Sequence, residues 1–409
     1  MSAPSAPAPR ATSPGLAATI AVLLMASMTI MANATIAPSL PGLREHFADR
    51  PGIETLSGLL LTLPSLAILL TAGLAGWLAD RFDRQVMLLV SGTLYALGGT
   101  SGLWAGSLEM MLAGRAVLGV GVAGTMTLAM TWGADLWQGP ARAKFLGQQG
   151  AAMSAGGIVV MLLGGALAGM HWRGAFAVYL IVLPVMIVGL IVLAPFARRI
   201  RGEQRAAARA EVTGPAAAFP WRAYAFVGPL SFLFMATFYI VPTRLPFHMA
   251  DLGLHNPAIV GMIMATMTLA AIPGSLLYGR IRRHLSAMSV FALSYAGMGL
   301  GMLIISQATG PLGILAGTLV CGAGMGPSMP NYTTYFMSVV PPAARGRASG
   351  LLTTAFFAGQ FASPLVSAPL VAWVGLAGAF EAVALILGLV AAALLALALR
   401  EGRAQVAGA

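Results

Sequence analysis

The sequence predicts an all-α integral membrane protein with twelve transmembrane helices in two tandem six-helix bundles. Three observations predict it: an apolar composition, twelve apolar runs of spanning length, and an internal repeat joining the first six runs to the last six. The 409 residues are 58% hydrophobic and 9% charged, whereas a soluble domain carries about a quarter charged residues. The main solvent is therefore lipid.

A helix that crosses a bilayer needs about 20 mostly apolar residues. Twelve stretches qualify, at 15–40, 55–77, 86–106, 108–134, 145–169, 174–196, 222–245, 257–279, 287–307, 311–336, 348–370 and 376–399. Strands of a membrane barrel would be short and would alternate apolar with polar residues. These runs are long and apolar on all faces, so helices are the remaining reading. The first run is too long for an ordinary signal-peptide core and eleven spans follow it, so it reads as a retained helix.

The net charge of +11 raises a nucleic-acid partner, but the basic residues are scattered among short segments between spans. With residues 1–14 in the cytoplasm, 18 of the 23 Lys and Arg fall on cytoplasmic segments, among them Arg10, Arg81, Arg84, Arg142, Lys144, Arg222, Arg280, Arg345 and Arg400. That bias is the positive-inside pattern. It predicts a protein of the cytoplasmic (inner) membrane with both termini in the cytoplasm and no nucleic-acid partner. Cys321, the single cysteine, lies within a span and excludes an intrachain disulfide.

An offset of 203 residues aligns Gly58 with Gly261, Gly76 with Gly279, Gly119 and Gly121 with Gly322 and Gly324, and Arg142 and Lys144 with Arg345 and Arg347. The expected organisation is a disordered N-terminus at 1–14, a first half at 15–197, a cytoplasmic linker at 198–220, a second half at 221–399 and a tail at 400–409. Parallel tandem repeats hold substrate near the membrane midplane where the halves meet.

The loop after the second span reads Gly76-Trp77-Leu78-Ala79-Asp80-Arg81-Phe82-Asp83-Arg84, and this order resembles the loop signature of the major facilitator superfamily. Arg115-Ala116-Val117-Leu118-Gly119-Val120-Gly121 resembles the family's fourth-helix motif, and with Trp172-Arg173 it points toward the twelve-helix drug/proton antiporter branch. That branch carries Gly-Pro before the Gly164-Gly165 pair of the fifth span, where this chain has Val160-Met161. The resemblance implies the major facilitator fold and a cytoplasmic gate of Gly76, Asp80, Arg81, Arg84 and Asp135, with Asp135 as partner of the loop arginine. The second copy, Gly279-Arg280-Ile281-Arg282-Arg283-His284, has no acid, so the latch is expected to be asymmetric.

Arg115 lies seven residues into the fourth span, about 10 Å along its axis. An arginine at the centre of a membrane helix costs about 2.5–3.5 kcal/mol on insertion scales and normally faces a partner or cavity. The resemblance implies a part in proton coupling, with Thr318 at the equivalent second-half position. Glu109 and Glu381 are the acids within the spans, both near outer ends, and complete the coupling candidates.

Cavity candidates are Asn33, Tyr239, Arg244, Met325, Asn331, Tyr332, Tyr335, Phe357 and Gln360. Amides carry the most information, because an amide facing lipid is costly; most aromatic and Met positions in such helices serve ordinary packing. No metal set, clustered acids or phosphate loop is present to support an enzyme or an ATP-driven pump, so no cofactor is expected. The expected function is a secondary active transporter moving small organic solutes by alternating access, through proton-coupled efflux of drug-like compounds or metabolites. A proton symporter or an uncoupled facilitator is the alternative, and a membrane-embedded enzyme ranks below both. Small-molecule substrate, lipid and protons are the expected partners of a monomer.

Overall fold

In lipid every backbone polar group must be satisfied within its own segment, and helices do this. The computed structural model describes residues 14–207, 219–341 and 344–407. The expected N-terminus at 1–14 lies almost wholly outside them, as does much of the expected linker. Ten helical stretches are long and apolar enough to cross a membrane. One of these, Arg345–Arg400, holds two spans that turn at Gly375, with φ 73° and ψ 179°. With residues 84–104, the twelve spans are all present.

The first half comprises α1 (Leu16–His46), α2 (Ile53–Arg81), α3 (Arg84–Gly99, extended by Ser101–Trp104), α4 (Leu108–Leu136), α5 (Gly139–Met170) and α6. A 3-10 run, Trp172–Ile181, opens α6 before Val182–Ala207. The second half comprises α7 (Trp221–Asp251), α8 (Pro257–Leu276), α9 (Ala287–Ser306), α10 (Pro311–Val339), α11 (345–374) and α12 (376–407). Helix continues through Ala207 and through Ala407, so the first part of the expected linker and most of the expected tail extend their spans.

Proline sets the breaks. α1 is helical to Ala34, tightens at Ala37–Ser39 and resumes at Leu40, with Pro38 and Pro41 opening the two later pieces. α10 divides around Gly326 and Pro327. Side chains cap several starts: Asp83 accepts from the Gln85 amide at α3, and Ser286 accepts from the Ser289 amide at α9. Those two caps are themselves 203 residues apart.

The repeat also governs packing within each half. A Cβ at Gly119 would meet the Pro64 carbonyl, and one at Gly322 the Met267 carbonyl. A Cβ at Gly121 would meet the Tyr95 amide, and one at Gly324 the Met298 amide. Every partner pair keeps the offset of 203, so each glycine lets two backbones approach in equivalent places.

Consecutive spans alternate in direction, so the described chain starts and ends on one face, here the termini face. The opposite, far face carries the turns before α2, α4, α6, α8, α10 and α12. Toward the far face the two halves meet at two seams. A Cβ at Gly58 on α2 would lie 2.8 Å from Pro364 Cβ on α11, and one at Gly261 on α8 would lie 2.7 Å from the Met161 carbonyl and 3.1 Å from Gly165 Cα on α5. The anchors Gly58 and Gly261 thus occupy equivalent seams.

Candidate functional site

At mid-height three polar side chains join the halves. Asn33 on α1 donates through Nδ2 to Ser65 Oγ on α2 at 3.0 Å and to Gln360 Oε1 on α11 at 3.1 Å. Ser65 Oγ donates to the same Gln360 oxygen at 2.8 Å. All three are buried, Asn33 at 3% and Gln360 at 8% exposure. Two capacities remain unspent: Asn33 Oδ1 has no partner, and Gln360 Nε2 reaches only Met235 Sδ at 3.6 Å. A buried amide with free capacity costs free energy until something fills it. Tyr239 on α7 is buried beside Asn33.

Arg115 is wholly buried and is occupied by backbone. Its Nε donates to the Leu60 carbonyl and its Nη2 to the Ala32 carbonyl, both at 2.6 Å. Both acceptors are products of helix irregularity. Pro64 has no N–H to return to Leu60, four residues earlier, and α1 breaks just beyond Ala32. Tyr179 from α6 donates to the Ala32 carbonyl at 3.0 Å and places its ring 5.0 Å from the guanidinium carbon. Thr318, its counterpart by offset, meets Thr266 at 3.2 Å on α8.

Arg244 is 1% exposed, toward the far face on α7. Its Nε donates to Ser367 Oγ and its Nη2 to the Pro364 carbonyl, each at 2.9 Å, both on α11 of its own half. On the far-face rim, Arg44 of α1 pairs with Glu54 of α2 at 2.9 Å and reaches across the halves to Asp251 of α7 at 3.6 Å. Its guanidinium also lies over the Phe247 ring at 5.1 Å. This rim and the two glycine seams close the far face.

On the termini face, Arg84 at the start of α3 is buried and pairs with Asp135 at the end of α4 at 2.6 Å, with the Trp132 ring 5.1 Å from its guanidinium carbon. Arg84 Nε and Nη1 have no partner. Arg81 is exposed and stacks on Trp77 at 4.4 Å. A Cβ at Gly76 would meet nothing within 4 Å, so close approach does not require that glycine in this conformation. The Asp80 side chain lies outside the described residues.

Other candidates point elsewhere. Asn331 lies within the second half, donating to the Ala287 carbonyl at 3.0 Å and accepting from Tyr278 at 3.1 Å. Tyr332 packs with Tyr295 at 2.8 Å and donates to the Leu230 carbonyl at 3.1 Å. Tyr335 lies 6.0 Å from the Phe291 ring. Phe357 is buried and Met325 partly so, both in the apolar core. Glu109 is exposed and pairs with Arg50 at 3.3 Å, while Glu381 is an exposed position on α12. Sequence reasoning missed Ser65, Tyr179, Pro64 and the Arg44–Asp251 bridge; a proline in mid-span facing a buried arginine on another span is the signal for the carbonyl contacts.

Two six-helix bundles meeting at a buried polar cluster define a polytopic membrane protein. The chain belongs to the Major Facilitator Superfamily, whose family model matches residues 22–364 and, in a second match, 232–407. It is 23% identical to the class H tetracycline resistance protein of Pasteurella multocida over 82% of this chain and 84% of that protein. It is 31% identical to the bacillibactin exporter of Bacillus subtilis, but over 28% of this chain and 30% of the relative. A triacylglyceride transporter of Mycolicibacterium hassiacum is 28% identical over 34% of this chain. The chain's matches span 26% and 30% of the lengths of those last two relatives. Among solved structures, the peptide transporter POT superposes with a TM-score of 0.74 at 15% identity, covering 94% of this chain and 95% of that one. The xylose transporter XylE from E. coli gives 0.69 at 17% identity, covering 92% and 95%.

Proposed function

We propose that the chain is a secondary carrier that exports small organic compounds by alternating access, driven by proton entry. The observation that carries this reading is the Asn33–Ser65–Gln360 cluster, drawn from both halves at mid-height and shut from the far face. A site shared by two rocking bodies changes shape whenever they move. The scatter of Lys and Arg supports a cytoplasmic termini face, with the protein acting as a monomer in the inner membrane, and cargo in this state is then loaded from the cytoplasm. The likeness to the bacillibactin exporter supports export.

In this reading Gly76, Asp80, Arg81, Arg84 and Asp135 form the cytoplasmic gate, which closes when the carrier faces outward. The Arg84–Asp135 pair carries the coupling proton: protonating Asp135 removes the charge partner of a buried guanidinium and so favours release of the latch. Arg115, pinned to two carbonyls, acts by holding α1 and α2 in place.

A second reading, an uncoupled facilitator, is favoured by one observation: among the described residues no Asp or Glu is buried in the spans. Proteoliposomes with an imposed pH gradient separate the two, using tetracycline and a panel of neutral, anionic and cationic amphiphiles. Gradient-driven accumulation that Asp135→Asn abolishes supports antiport. Equal flux with and without the gradient overturns it in favour of the facilitator.

A further inference from the structure

We infer that the carried compound is an organic anion, and that Arg244 is the residue that recognises its charge. The inference rests on the carrier reading above and names the substrate class of that same site.

Among the described residues, the buried charged side chains of the spans are Arg84, Arg115 and Arg244, and none is acidic. Arg84 has its carboxylate, Asp135. Arg115 has two carbonyls that helix irregularity leaves without their usual donors. Arg115, like Arg244, has no carboxylate, and its Nη1 has no partner, but its Nε and Nη2 are pinned to carbonyls of the first half; Arg244 is held by one hydroxyl and one carbonyl, and no carboxylate lies within ion-pair distance of it. The Glu54 carboxylate at the start of α2 is engaged by Arg44 at 2.9 Å. A buried cation without a counter-ion is costly, and removing that cost requires an anion from elsewhere.

Its position fits that role. Arg244 follows Tyr239 by five residues, and its anchor Pro364 follows Gln360 by four. The guanidinium thus lies about 6–8 Å beyond the mid-height cluster, at 1.5 Å per helical residue. Both of its anchors belong to α11, in its own half, so the fork keeps its orientation while the halves rock. The neighbouring Thr243 borders Gly58 across the seam, so the arginine sits between the mid-height cluster and the closed far-face seam.

The cluster supplies the rest of the recognition. Asn33 Oδ1 is a buried acceptor awaiting a donor, and Gln360 Nε2 is a donor held only by a thioether. Met235, whose sulfur meets Gln360 Nε2, adds apolar surface there. The chemistry matches a small amphipathic carboxylate, or an equivalent monoanion, bearing a neutral polar group about one helical turn from its charge.

The test compares three probes of one skeleton, phenylbutyrate, phenylbutanamide and phenylbutyltrimethylammonium, binding to the full chain in nanodiscs. The expected result is roughly tenfold or tighter binding of the carboxylate than of the amide, since charge-assisted hydrogen bonds are about twice as strong as neutral ones, with the ammonium weakest. Arg244→Gln is expected to bring the carboxylate-to-amide ratio close to one, and Arg244→Lys to keep part of it. Equal binding of carboxylate and amide by the wild-type chain overturns the proposal whether or not the variants fold, as does a preference that survives Arg244→Gln. Gradient-driven export of the amide alone leaves the carrier reading standing while overturning this one.

Discussion

Arg115 on α4 donates to the carbonyl of Leu60 on α2, the oxygen that Pro64 deprives of its helical partner. A proline and an arginine on different spans therefore form one unit. Arg115→Leu is expected to leave the Leu60 carbonyl without a donor, while Ala32 still accepts from Tyr179, and to destabilise the protein by about 1–3 kcal/mol, the cost of one unsatisfied buried group. Pro64→Ala restores an amide for Leu60. In a double-mutant cycle of thermal unfolding in detergent, the pair is expected to couple by about 0.5–3 kcal/mol; strict additivity would contradict the shared contact.

Gly261 tests the far-face seam. A Cβ there lies 2.7 Å from a backbone oxygen across the halves, and backbone yields little. Gly261→Val is expected to hold the α5–α8 seam apart and lower transport at least tenfold with little loss of folding. Spin-label distances across the far face would report the opening, and an unchanged distance distribution would refute the seam assignment.

Gln360→Leu removes the acceptor shared by Asn33 and Ser65. The expected loss is about 1–3 kcal/mol in ligand affinity, the cost of stranding buried polar partners, which corresponds to roughly 5- to 150-fold in Kd. Binding of the carboxylate and amide probes should weaken together. Loss confined to the carboxylate would place the amide outside the site.

Asp251→Asn breaks the one far-face ion pair that joins the halves among the described residues. Both side chains keep substantial exposure, so the expected shift toward the far-face-open state is at most about 1 kcal/mol. It should shrink in high salt. The same label distances, measured at low and high ionic strength, check it.

The fold was legible because its signals are coarse: runs of spanning length, a charge bias, and glycines repeating at one offset. Part of the site was legible too. Asn33 and Gln360 stand out as amides in apolar runs, and they meet across the halves at 3.1 Å. Ser65 did not stand out, because a serine in a helix can satisfy itself on its own backbone, and only the fold brings it to Gln360. Asn331 carried the same signal as Gln360, yet it ties Tyr278, in the segment after α8, to the start of α9 within its own half. In a helix apolar on all sides, periodicity does not say which face meets the other half. Arg115 was legible as a buried arginine, but its partners are carbonyls, and every residue has one.

Ala32 is held by side chains from two other spans, Arg115 and Tyr179, and Asn33 is the next residue along. Under the proposed alternating access, the amide of Asn33 is consequently the stationary member of the cluster, while Gln360 travels with the opposite half. In that reading the site is a vise with one fixed jaw: the grip on a ligand is set by how far the α11 side advances, and the first half serves as the anvil against which it closes.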